Sequence, residues 1–198
     1  MKNKLLNPFA YYDEKILFAI GIVSHFFFTY IGYLTKSNFP DFLSIKKSVE
    51  TFSFLELIVQ NSTILLVTIF CLFLLGKIIN KKTRFIDIVN VALVSRIAYY
   101  VVFITDFIPV VNRKLELVLH GVTENNFDVL NDITTMTVVL LVAFTAIFFL
   151  LLMFYYLFIG FKTVTNLKSI KHILLFIGCL FLIEIITSSI TIIKYNIL

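Results

Sequence analysis

Arg96 and Glu184 are charges in places where charge is costly. Each lies near the middle of an otherwise apolar stretch, Arg96 twelve residues after Arg84 and Glu184 thirteen after Lys171. At about 1.5 Å of rise per helical residue, two helices running in the same direction carry them to nearly the same depth. A lone charge at the centre of a membrane helix costs at least about 2.5 to 3.5 kcal/mol. Mutual pairing, or protonation of the glutamate, is the expected remedy. Such a pair acts either as a structural tie that fixes which helix packs against which, or as a binding site: an ion or proton relay, or a counter-ion for a substrate. The structural reading weighs more, because each charge has a candidate partner.

A polar stripe adjoins the glutamate. Thr187, Ser188 and Thr191 follow Glu184 at i+3, i+4 and i+7, which places all four on one helix face. Hydroxyls so placed bond a neighbouring helix or line a wet cavity. Glu56, Gln60 and Thr63 form a similar stripe, and Tyr99 and Tyr100 are positioned to cover Arg96. Equipment for covalent chemistry is missing: there is no HExxH, GxSxG, Walker loop or GxGxxG, and no paired membrane aspartates. His25, His120 and His172 are scattered, and Cys71 and Cys179 lack metal-type spacing. The expectation is a non-enzyme with no metal and no cofactor.

The elements that position these residues are set by the solvent. Hydrophobic residues make up 60% of the 198, charged residues 15%, and the mean hydropathy is +0.98, which fits lipid rather than water. A bilayer core of about 30 Å needs about 20 residues of helix. Five stretches qualify, at 16–34, 57–76, 85–111, 133–161 and 173–193. Strands are rejected because strict polar alternation is absent and a barrel needs many more of them. The predicted fold is all-α, one polytopic transmembrane bundle over 1–198 with no linker between units. The first stretch reads as a retained span, because no small-x-small cleavage site follows it before Lys36.

A net charge of +5 is of the sign that nucleic acid attracts, but the cations sit in short gaps between apolar runs, so no nucleic-acid partner is expected. Counting them predicts an N-in, C-out orientation, with roughly ten Lys and Arg on the inner side against roughly six outside. The inner set is Lys2, Lys4, Lys15, Lys77, Lys81, Lys82, Arg84, Lys162, Lys168 and Lys171. In the outer loop 112–132, Asn112 is expected to cap a short amphipathic helix over 113–120, closed by Gly121 as the residue past its end. The alternative for that loop is a binding lid.

Two loops carry a resemblance. Leu75-Gly-Lys-Ile-Ile-Asn-Lys-Lys-Thr-Arg-Phe85 with Asp87 and Arg96, then Gly160-Phe-Lys-Thr-Val-Thr-Asn-Leu-Lys168, together with the opening Asn7-Pro-Phe9, resemble a bacterial branch of the Yip family of five-helix membrane proteins. The residues that carry the likeness are Gly76, Lys77, Asn80, Arg84, Asp87, Gly160, Lys162 and Asn166. The Asp-Leu-Tyr-Gly-Pro motif and long N-terminal region of the eukaryotic branch are missing, so Rab binding is not implied. The two loops also resemble each other, as parallel repeats would, or as chance produces in a sequence rich in Lys, Asn and Ile.

The resemblance implies a non-enzymatic protein of a bacterial inner membrane, with the lipid bilayer as its surroundings and a homo-oligomer or other membrane proteins as partners. A small transporter centred on Arg96 and Glu184 is the alternative.

Overall fold

The computed structural model describes residues 2–47 and 52–197. It is all-helical apart from one two-residue hairpin pairing, and five helices are long and apolar enough to cross a membrane. In chain order the elements are α1 (Lys2–Leu6), α2 (Glu14–Leu34), β1 (Ser37–Asn38), β2 (Lys46–Lys47), α3 (Phe54–Ile79), α4 (Phe85–Tyr100), α5 (Pro109–Thr123), α6 (Ile133–Thr165) and α7 (Ile170–Ile197).

Local signals set the helix ends. Asp13 caps α2 by accepting from the Lys15 amide at 2.8 Å. Ser53 and Glu56 close a reciprocal capping box on α3. Asn166 ends α6 in the left-handed conformation, at φ 55°. The third span tightens into a 3-10 stretch over Val101–Phe107 and stops at Ile108, where Pro109 opens α5. The span therefore ends four residues before the expected 111, because a proline at a helix start supplies no amide to continue the preceding turn.

Packing centres on α4, the most buried of the five spans, which touches α2, α3 and α6. Lipid offers no hydrophobic drive between helices, so close approach has to come from small residues. Gly21 provides it, since a Cβ there would lie 2.7 Å from Leu93 Cβ. Around it Leu17, His25, Thr29 and Gly32 continue one buried stripe at near four-residue spacing. α7 packs mainly on α3, and most of α6 faces outward.

The loop at 112–132 differs from its expected form. α5 runs from 109 to 123, Asn112 lies inside it, and Asn112 Oδ1 accepts from Lys47 Nζ at 2.6 Å instead of capping. Gly121 is helical rather than terminal. A Cβ there would come 2.7 Å from the Asn126 carbonyl, so glycine is required for close approach, and Asn125 takes the positive φ.

Candidate functional site: a loop inserted into the bundle

Residues 37–42 are all buried, although they connect two spans. The hairpin pairing Ser37 with Lys47 pinches the loop at its base, and Phe39-Pro-Asp-Phe42 enters the bundle. Irregular backbone at that depth is tolerated only where protein satisfies its polar groups. Here three helices, α3, α4 and α7, contribute side chains. Gln60 Oε1 accepts from the Phe39 amide at 3.1 Å, Thr187 Oγ1 accepts from the Phe42 amide at 3.1 Å, and Tyr99 donates to the Leu43 carbonyl at 2.7 Å. Thr191 donates to the Pro40 carbonyl. At the mouth, Lys47 pairs with Asp106 at 3.2 Å.

The stripe on α7 thus has a defined use. Thr187 and Thr191 hold the inserted loop, and Ser188 donates to Glu184 Oε1 at 3.3 Å. Glu184 faces the carboxyl group of Asp41, whose Oδ1 accepts from the Leu43 amide at 3.1 Å. Asp41 is 7% exposed, so two acidic side chains meet at the edge of the loop.

Arg96 and Glu184 do not form the expected ion pair. Among the described residues the ion pairs are Lys47–Asp106, Arg84–Glu14, Arg84–Asp87 and Lys114–Asp132. The reason is lateral, since α7 lies against α3, and Phe42 of the inserted loop lies against Arg96 while lining the same hollow as Glu184. Arg96 is 2% exposed, and its Nε, Nη1 and Nη2 have no hydrogen-bond partner. Its guanidinium lies 5.5 Å from the Tyr100 ring centroid and 6.0 Å from that of Phe42, a cation–π setting. Tyr100 covers it as expected, while the tyrosine's hydroxyl donates to Asn61 Oδ1 at 2.9 Å. Asn61 in turn donates to Thr29, and His25 Nε2 lies 3.2 Å from Ser62 Oγ. The hydroxyl of Tyr99 is within electrostatic reach of Arg96, Asp41 and Glu184. Among the described residues the interior is a polar seam in which the Arg96 guanidinium is left unmatched.

The residues of the two similar loops lie at the opposite end of the bundle. Gly76 admits Thr83, whose methyl would lie 3.1 Å from an added Cβ and whose hydroxyl donates to the Gly76 carbonyl at 3.1 Å. Lys77 donates to the Lys81 carbonyl at 3.0 Å, and Asn80 Oδ1 accepts from the Lys82 amide at 3.0 Å. Arg84 bridges Asp87 and Glu14. Asp87, then Glu14, holds its guanidinium above the ordinary arginine range. The Lys162 carbonyl accepts the Leu167 amide at 3.2 Å, and its ammonium lies over Phe158. Asn80 is extended where Asn166 is left-handed, so the likeness between the loops does not reach their backbones.

The opening residues join this end. Phe9 lies on Gly160, where a Cβ would come 2.6 Å from its ring, and Asn7 donates to Thr163 at 3.1 Å. Tyr155 and Tyr156 donate to the carbonyls of Leu6 and Leu5. Segments some 150 residues apart, both part of the resemblance, are therefore one contact.

Sequence reasoning missed Asp41 and Phe42. The available signal was two phenylalanines flanking Pro-Asp in a loop, apolar residues that a solvated turn has no use for. Among the described residues no group of three or more His, Cys, Asp or Glu is gathered as a metal ion would need.

No family model matches the chain, and no curated protein and no solved structure matches it. The fold and its five apolar helices define a polytopic α-helical membrane protein.

Proposed function

We propose that this chain is a non-enzymatic integral membrane protein of the Yip type, lying in a bacterial inner membrane with its N-terminus in the cytoplasm. It acts through helix packing and through contacts with other membrane proteins or further copies of itself. The observation that supports this reading most is the use of the interior polar groups. Gln60, Tyr99, Thr187 and Thr191 all bind the chain's own inserted loop, while α6 leaves Phe144, Phe148 and Leu151 open along its outer side.

Single cysteines at Phe144, Phe148 and Leu151, crosslinked in cells, test it. Discrete adducts from that face are expected. A monomer in mild detergent together with no adduct in cells removes the reading.

A second reading is favoured by one observation, the buried guanidinium of Arg96 that no hydrogen bond satisfies. A cation kept in that state suits a small permeation or transport route that runs past Arg96, Asp41 and Glu184. Proteoliposome flux that is the same in folded wild type, Arg96→Met and Glu184→Gln eliminates it.

A further inference from the structure

Beside the N-terminal segment lies a cleft of about 240 Å³, walled by Phe9, Tyr12 and Leu17 and carrying Asp13, Glu14, Asp87, Arg84 and Asn90. Three carboxylates face one guanidinium, so the cleft is net negative although it sits among the chain's most basic loops. Asn90 adds an independent sign. It is 2% exposed, its Nδ2 donates to the Glu14 carbonyl at 2.9 Å, and its buried Oδ1 has no partner. A buried acceptor without a donor is costly, so a group that brings N–H or O–H to this cleft is favoured there.

The chemistry narrows further. The carboxylates are not gathered closely enough to hold a metal ion. A cation with hydrogens to give, an ammonium, satisfies Asn90 Oδ1 and the acidic wall together, and the Phe9 and Tyr12 rings suit it as well.

Tyr12 also lines a second hollow of about 300 Å³, formed by Val94, Ile97, Ala98 and Leu152 with Lys4 at its edge. Asn90, Val94 and Ile97 follow one another at i, i+4 and i+7 on α4, so the polar cleft and the apolar groove lie along one helix face. The cleft sits at the start of α2, where a span meets the membrane boundary.

We propose that this cleft and groove bind one phospholipid with a primary ammonium headgroup. The ammonium sits against Asn90 Oδ1, Glu14 and Asp87, Lys4 faces the phosphate, and an acyl chain lies along Val94, Ile97 and Leu152.

The test uses the full chain in detergent and native mass spectrometry with phosphatidylethanolamine, its mono- and dimethyl forms, phosphatidylcholine and phosphatidylglycerol. Retention should fall stepwise with each N–H removed, reaching about tenfold between phosphatidylethanolamine and phosphatidylcholine, the scale of one charge-assisted hydrogen bond. Glu14→Gln with Asp87→Asn should bring that ratio to within about twofold. Equal retention across the headgroups, or a preference for phosphatidylglycerol, overturns the proposal on wild-type protein alone, whether or not the variant folds. Displacement of the lipid by an equal concentration of soluble phosphoethanolamine overturns the role of the groove and assigns the cleft to a free headgroup compound.

Discussion

The amide of Phe42, in the buried stretch of the inserted loop, donates to Thr187 Oγ1 at 3.1 Å, and the same hydroxyl donates to the Ile183 carbonyl at 2.9 Å. One threonine thus satisfies its own helix and a foreign backbone at once. Thr187→Val keeps the shape and removes the acceptor, leaving a buried amide unpaired at a cost of about 1 to 3 kcal/mol. Thr187→Ser should cost less than half as much. Thermal unfolding in detergent measures both, and a Thr187→Val protein as stable as wild type would mean that the loop is not held there.

Gly160 and Phe9 make a second pair that substitution can separate. A methyl group at 160 falls 2.6 Å from the Phe9 ring, so Gly160→Ala must displace that ring from its seat on α6. The expected loss is about 1 to 3 kcal/mol, as for other overpacked contacts. In a Phe9→Ala background the same change should cost under about 1 kcal/mol, because the obstructing ring is gone. Protease susceptibility of residues 5–12 provides a separate readout. Equal losses in both backgrounds would place Phe9 elsewhere.

What the sequence made legible follows from how each feature is stabilised. The five spans are readable because lipid imposes a minimum apolar length on every helix independently. The positions of Arg96 and Glu184 within apolar helices are readable for the same reason. Their lateral separation is not, since it depends on α7 choosing α3 and on Phe42 lying against Arg96, contacts between residues far apart in the chain. The stripe Thr187, Ser188 and Thr191 is visible as a face, but its partners are carbonyl and amide groups of a loop some 150 residues away. Backbone groups leave no mark in a side-chain pattern, which is why the inserted loop reads as an ordinary connection. Gly121 shows the converse, because a glycine needed for close approach looks the same in sequence as one needed for positive φ.

Asp132 at the start of α6 accepts from Lys114 Nζ at 2.8 Å and from the Thr135 hydroxyl at 2.6 Å. Lys114 first, then Thr135, holds its carboxyl well below the ordinary aspartate value of 3.8. A lowered folded value means that the stabilisation is complete above 3.8 and is lost as pH falls through the lower folded value. The junction of α5 with α6 should therefore be indifferent to pH around neutrality and loosen only in strong acid. Carbon NMR of the Asp132 carboxyl should give a midpoint below 3.8, rising in Lys114→Met. A midpoint at or above 3.8 would show that the contact does not persist in solution.

Arg96 gives the sharpest contrast between stability and retention. Its stem packs beside Tyr100 and Phe42, but the three guanidinium nitrogens are buried without hydrogen bonds. Arg96→Met keeps a stem of similar length and removes the unsatisfied charge. The protein should become more stable by about 1 to 4 kcal/mol, the range seen when even a paired buried charge and its partner give way to packed apolar side chains. Because no ion pair joins Arg96 to Glu184, the gain should add to the effect of Glu184→Gln within about 0.5 kcal/mol. A double-mutant cycle in detergent checks both statements. A coupling above about 1 kcal/mol would mean that the two charges meet after all. A destabilised Arg96→Met would mean that the guanidinium has a partner holding it in place. If the variant is more stable and cells lacking the arginine lose the protein's activity, the cation persists at the expense of stability, which packing alone does not explain.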